Sequence, residues 1–135
     1  MIPSPALYPR MGVTWFNLAL VTSLLVRVSL LGFESADYIF FWSNWYDYSV
    51  QHGRWAALKD DFSNYPPLYL YLLSLSTLLP LPKLHAVKAV PIAFDYLAAW
   101  FVFRLVRVKH PTGPSPLYAA AGVLFLPTVV LNSAA

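Results

Sequence analysis

The chain contains no cysteine, so neither a disulfide nor a thiolate-bound metal can contribute to its stability or chemistry. Charge is almost as scarce. Only 11% of the 135 residues are Asp, Glu, Lys or Arg, against 59% hydrophobic and 17% aromatic. A soluble domain of this length cannot bury so much apolar surface, and much of it must face another apolar medium. Glycine occurs five times, and neither a glycine-rich phosphate loop nor a Gly-x-Ser-x-Gly elbow is formed. His52, His85 and His110 are scattered without ligand spacing, which argues against a metal site built on them. The net charge of +3 arises from basic residues near the ends of apolar stretches. That pattern concerns membrane orientation and gives no reason to expect a nucleic-acid partner.

What the chain does have is long apolar runs. A helix crossing a bilayer needs about 20 mostly apolar residues, and spans are expected at about 13–31, 84–104 and 117–133. The last is still apolar at Ala135 with no charge or cap to close it, so the chain is expected to be a single N-terminal module of a larger multi-span protein. The first run is not a secretory signal. It exceeds the core of about 7–15 residues of such signals, contains Arg27, and leads into Gly32-Phe33-Glu34-Ser35, a poor cleavage site. Met1–Gly12, with three prolines, reads as an irregular lead-in.

Between the first two spans lies the expected outer loop, residues 32–83, whose polar centre, Gly32 to Tyr65, holds five of the six acids: Glu34, Asp37, Asp47, Asp60 and Asp61. Tyr38, Phe41, Trp42, Trp45 and Tyr46 recur at three- and four-residue steps, with Ser43, Asn44, Asp47 and Gln51 on the other side. This is the pattern of an amphipathic helix. Seven of the eleven residues from Tyr38 to Tyr48 are aromatic, and Trp and Tyr favour the headgroup zone, so the helix is expected flat at the interface. Gly53 is its expected terminator. Pro66 and Pro67 form a rigid extended step, because each proline fixes its own φ and disfavours helix in its predecessor. Leu68–Leu81 follows, short for a span. The fold expected is therefore an all-α membrane protein with three transmembrane helices and two juxtamembrane helices in the first outer loop. Four transmembrane helices, with Leu68–Leu81 crossing, is the alternative, and the positive-inside rule does not separate the two.

Two acids stand out. Asp37 lies at the start of the interfacial helix, where Ser35 can cap and the helix dipole favours an ionised carboxylate. Such a group can serve as a general base or hold a cation, or merely cap a helix. Asp95 lies near the middle of the second long span, at a depth where acids face the protein interior and pair. Lys88, seven residues earlier, and Arg27, at comparable depth in the first span, are the candidate partners. Asp60-Asp61 reads as a solvated turn.

The order of these features resembles the N-terminal module of the GT-C superfamily of membrane glycosyltransferases, which use polyprenyl- or dolichyl-phosphate-linked sugars. The elements carrying the resemblance are Ser35-Ala36-Asp37 after the first span, the aromatic helix ending near Gly53, and Asn64-Tyr65-Pro66-Pro67-Leu68-Tyr69-Leu70-Tyr71. Lys88 and Asp95 follow in the next span, and Leu131-Asn132-Ser133-Ala134-Ala135 closes the set. The likeness covers essentially the whole chain and about the first third of such an enzyme. It implies a hexosyltransferase that moves a sugar from a polyprenyl-phosphate carrier to an acceptor on the non-cytoplasmic face. By the resemblance Asp37 is the catalytic carboxylate, and Glu34, Tyr65, Lys88 and Asn132 lie against substrate. Pro66, Pro67, Asp95 and Arg27 are structural. The implied location is an integral multi-pass membrane protein with a cytoplasmic N-terminus and the first loop outside. The implied partners are the carrier-linked sugar and membrane lipid. No metal ligand is assigned, and the sequence requires no divalent cation although Asp37 could hold one. The 135 residues alone are expected to lack turnover. A non-enzymatic accessory protein and a transporter fragment lined by Asp95, Lys88 and Arg27 are the rival readings.

Overall fold

The computed structural model describes residues 7–134, with side chains from Val13 onward. Met1–Ala6, the side chain of Arg10, and Ala135 lie outside the described residues. The rest of the expected lead-in is helical. Helix α1 runs Leu7–Leu30, and Pro9 falls in its first turn, where a missing N–H removes no intrahelical bond. The polar centre then folds as a helix from residue 36 to Gln51, made of a π-helical turn Tyr38–Trp42 and helix α2, Ser43–Gln51. A 3-10 turn at Ala57–Lys59 and helix α3, Pro67–Ser76, complete this region. Helix α4, Lys83–Lys109, is the longest, and α5, Ser115–Leu124, and α6, Pro127–Ala134, follow it.

Two helices, Val13–Leu30 within α1 and the whole of α4, are long and apolar enough to cross a membrane. The pair α5–α6 meets the same test only when taken together, across a 48° bend. The third expected span is therefore broken. Pro127 starts α6 without an N–H and biases Leu126 away from helical angles, which ends α5 early. Outward surfaces match the composition: Leu25 on α1 is 63% exposed and Leu105 on α4 70% exposed. Such side chains need an apolar solvent.

Helix α3 is shorter than expected, ending at Ser76 with turns leading to Leu81. Ser76 and Thr77 turn their hydroxyls onto the carbonyls of Leu73 and Ser74, both at 2.7 Å, a local bonding mode that competes with continued helix. Ten residues rise only about 15 Å, half of a bilayer's hydrocarbon thickness. Helix α3 packs on its neighbours. Leu73 joins Trp45 of α2 and Val87 of α4 in one apolar cluster, and Ser49 and Ser74 hydrogen-bond at 3.2 Å where α2 and α3 meet. Lys83 pairs with Asp47 at 2.7 Å and links the start of α4 to α2. A second cluster, built on Ala99, Ala120 and Leu124 with Phe16 and Leu20, joins α4, α5 and α1. Small residues at the α4–α5 contact let the two backbones approach closely.

Gly53 terminates α2 as expected. Its φ is +81°, and the Arg54 amide donates to the Ser49 carbonyl at 2.6 Å, the closing bond of a Schellman motif. A Cβ at Gly53 would meet only the Ala56 Cβ at 3.5 Å, so Gly53→Ala costs conformation and not space. We expect that substitution to destabilise the chain by about 1 kcal/mol. A thermal melt in detergent followed by circular dichroism checks this, and an unchanged midpoint would contradict it.

Candidate functional site

Three backbone carbonyls, from the ends of two helices, converge on one cation. Lys88, one and a half turns into α4, is 1% exposed, and its Nζ donates to the carbonyls of Leu30 at 3.0 Å, Ala134 at 2.7 Å and Phe33. These carbonyls close α1 and α6 or lie in the turn after α1, where the partial negative charge of helix C-termini attracts a cation. A lysine ammonium has three donors, and all three are used. Lys88 is thus occupied by backbone and acts as a clamp on the turn that carries Glu34.

The helix bearing Asp37 begins immediately beyond this clamp. Ser35 caps it, accepting the Tyr38 amide on Oγ at 3.3 Å and the Ile39 amide on its carbonyl at 3.0 Å. Asp37 is exposed in the first turn, and Glu34 is exposed in the extended segment before the cap. The first turn is followed at once by the π-helical turn, in which the Ser43 amide bonds to the Tyr38 carbonyl. Such turns are uncommon in helices and are frequent at functional sites. Nothing in the sequence pattern pointed to it.

The intramembrane acid finds its partner in Arg27. Nη2 of Arg27 lies 2.8 Å and Nε 3.2 Å from Oδ2 of Asp95, so two donors share one carboxylate oxygen. The remaining side of the guanidinium is satisfied by the Ser23 hydroxyl at 2.7 Å and the Leu124 carbonyl at 3.1 Å. Ser23 also bonds the Tyr96 hydroxyl at 3.2 Å, and the Tyr96 ring lies 5.5 Å from the guanidinium carbon. One buried cation therefore joins α1, α4 and the end of α5. Lys88, the other candidate partner, is engaged elsewhere. Ser23 and Tyr96 were not singled out from sequence, although Ser23 precedes Arg27 by four residues and Tyr96 follows Asp95 directly. The four-residue spacing puts Ser23 on the face of Arg27, whereas adjacency gives no such signal for Tyr96.

Beside this pair, Asp95 lines a cleft of about 240 Å³ with Pro91 of α4 and Thr128, Val129, Asn132 and Ser133 of α6. Asn132 is exposed at its edge. Pro91 contributes no amide, which leaves the carbonyl one turn earlier without its helical donor.

Tyr65 sits apart from Asp37 in an aromatic group, its ring centroid 4.9 Å from Trp45 and 5.0 Å from Tyr69. Of the expected extended step only Pro66 is extended, at φ −58° and ψ 144°; Pro67 is already the first residue of α3, where its fixed φ suits the helix and its missing N–H costs no bond. The Tyr48 hydroxyl donates to Asp60 at 3.0 Å. That bond, followed by burial and by the carboxylate's charge, raises its phenol pKa above the usual 10. Burial, then the nearby Tyr65, raises that of Tyr69 as well. Among the described residues no three His, Asp or Glu side chains gather as a metal site would need.

Comparison with family models, with curated proteins and with solved structures gives no match for this chain. The helical architecture and the apolar helices make it a membrane protein, and its chemistry has to be argued from the site itself.

Proposed function

We propose that the chain is the N-terminal module of a membrane hexosyltransferase. It would take a sugar from a polyprenyl-phosphate carrier on the non-cytoplasmic face, with Asp37 as the catalytic carboxylate. The observation that carries this reading is the setting of Asp37. It is an exposed acid in the first turn of a capped helix, four residues beyond a carbonyl that a buried lysine clamps. A phosphate leaving group needs little help, so the harder task is to make the acceptor hydroxyl nucleophilic. A positioned carboxylate does that by taking its proton. Lys88 also holds Ala134 beside Leu30 and Phe33. The Leu131–Ala134 motif therefore reaches the end of the bundle where the Asp37 helix starts.

On this reading α1, α4 and the bent α5–α6 pair each cross, while α2 and α3 lie against the outer surface. The Lys83–Asp47 pair and the Leu73–Trp45–Val87 cluster favour this over a crossing α3, because both hold α3 among elements at one end of α4. Arg104, Arg107 and Lys109 cluster at the opposite end of α4 and would be cytoplasmic on this reading, with Arg54, Lys59 and Lys83 spread over the long outer loop. Orientation is testable because the chain has no cysteine. Single thiols introduced by Lys59→Cys and Leu81→Cys should react with an impermeant reagent from the same, outer side, and His110→Cys from the other. Labelling of residues 59 and 81 from opposite sides would make α3 a fourth span and end this topology.

The Asp95–Arg27 pair gives no support to a transport path. Its guanidinium makes four hydrogen bonds to three groups, on α1, α4 and α5, and a charge so fixed is an anchor.

A further inference from the structure

An open cleft of about 400 Å³ lies between α2 and the stretch leading into α3, lined by Phe41, Trp45, Asp61, Phe62, Ser63 and Asn64. It is at the small end of ligand-sized clefts. Its aromatic walls are braced from behind. Trp45 is packed on Leu73 and Val87 and lies 5.7 Å from the Phe41 ring. Phe62 stacks on Tyr48 at 4.6 Å, and Tyr48 on His52 at 3.8 Å.

The charge is one-sided. Asp47 pairs with Lys83 and Asp60 accepts the Tyr48 hydroxyl, whereas Asp61 is exposed and has no hydrogen bond or ion pair among the described residues. No cationic side chain lines the cleft. Aromatic faces carry negative potential, and a free carboxylate adds to it, so the complementary guest is a cation. A metal ion would require several oxygen ligands and gains little from ring carbons, while an organic ammonium uses rings and carboxylate together. A sugar is the rival guest, since the Asn64 amide and the proton of the Ser63 hydroxyl, which accepts the Tyr65 amide, could serve it, but neither uses the unpaired charge of Asp61. On the same helix Ile39 and Phe40 are strongly exposed, Phe40 by 67%. That puts the cleft next to a face that needs lipid, at the level of headgroups.

We propose that this cleft binds an alkylammonium group, the chemistry shared by choline or ethanolamine headgroups and free quaternary amines. The Phe41, Trp45 and Phe62 rings would pack on it, with Asp61 as counter-ion. The proposal does not depend on Asp37 or on sugar transfer.

The test uses the 135-residue chain in micelles of an uncharged polyoxyethylene alkyl ether. The indole N–H resonance of Trp45, assigned with Trp45→Phe, is followed by NMR. Tetramethylammonium chloride should give a saturable shift that sodium chloride and neutral neopentyl alcohol do not. Asp61→Asn and Phe41→Leu, both at exposed positions, should each weaken it roughly tenfold, with the other tryptophan resonances unmoved as the check on folding. An equal response to neopentyl alcohol, a response to methyl glucoside in place of the ammonium, or an unchanged response in Asp61→Asn would overturn the proposal. The two sources are separated in nanodiscs. Loss of the tetramethylammonium shift in phosphatidylcholine discs, with retention in phosphatidylglycerol discs, identifies a lipid headgroup as the occupant. Retention in both identifies a soluble amine.

Discussion

Asp37→Asn in the complete enzyme is expected to lower turnover by about 10²–10⁴-fold, the usual worth of a positioned general base. Expression and carrier binding should be preserved. Asparagine keeps the size of the side chain and remains an acceptable residue in a first helical turn, so the loss would report the missing proton acceptor. Asp37 is exposed, and its side chain makes no hydrogen bond or ion pair among the described residues, which leaves little room for an indirect structural effect. Glu34 is the control, since it is equally acidic and exposed but lies in extended chain before the Ser35 cap. Glu34→Gln should reduce turnover much less. The reverse result, with Asp37→Asn near normal and Glu34→Gln inactive, would move the role to Glu34. Activity in both variants would remove the enzymatic reading of this loop.

Arg27→Leu or Asp95→Leu alone should be the most damaging single changes in the bundle. Arg27 is 1% exposed, and removing Asp95 leaves a guanidinium that cannot shed its proton in an apolar interior. Breaking a buried pair by removing one partner costs about 3–5 kcal/mol, because the remaining charge is uncompensated. Folded yield in membranes should fall sharply for each single variant. The double variant Arg27→Leu/Asp95→Leu should recover much of it, since a well-packed apolar pair can replace an ion pair at little cost. The recovery will be incomplete because Arg27 also holds the Ser23 hydroxyl and the Leu124 carbonyl, and these lose their donor. Additive losses in the double variant would mean that the two side chains act independently and that the pair is not the anchor.

These two experiments separate what the sequence carries from what it does not. Hydropathy and length alone determine that the chain is an all-helical membrane protein, because windows of 18 residues with a mean hydropathy of 1.6 belong in an apolar solvent, where a single segment satisfies its backbone as a helix. Proline and glycine were legible for the same local reason. Gly53 ends α2 and Pro66 is extended before α3, since the conformations they allow are set by their own covalent structure. A depth argument was enough to expect a basic partner for Asp95, because an unpaired acid in hydrocarbon is too costly to keep.

Which cation that partner would be was decided by tertiary structure. Lys88 lies seven residues before Asp95 on the same helix, and Arg27 at comparable depth in the first span. Choosing between them requires knowing that α1 and α6 end beside Lys88 and claim all of its donors, a contact between residues 46 to 58 positions apart. Whereas the break between α5 and α6 follows from Pro127 itself, the π-helical turn after Asp37 and the packing of α3 against α2 and α4 belong to the same class. Each depends on how neighbouring helices approach one another. Periodicity reports which face of a helix is apolar and carries no information about which helix will cover it.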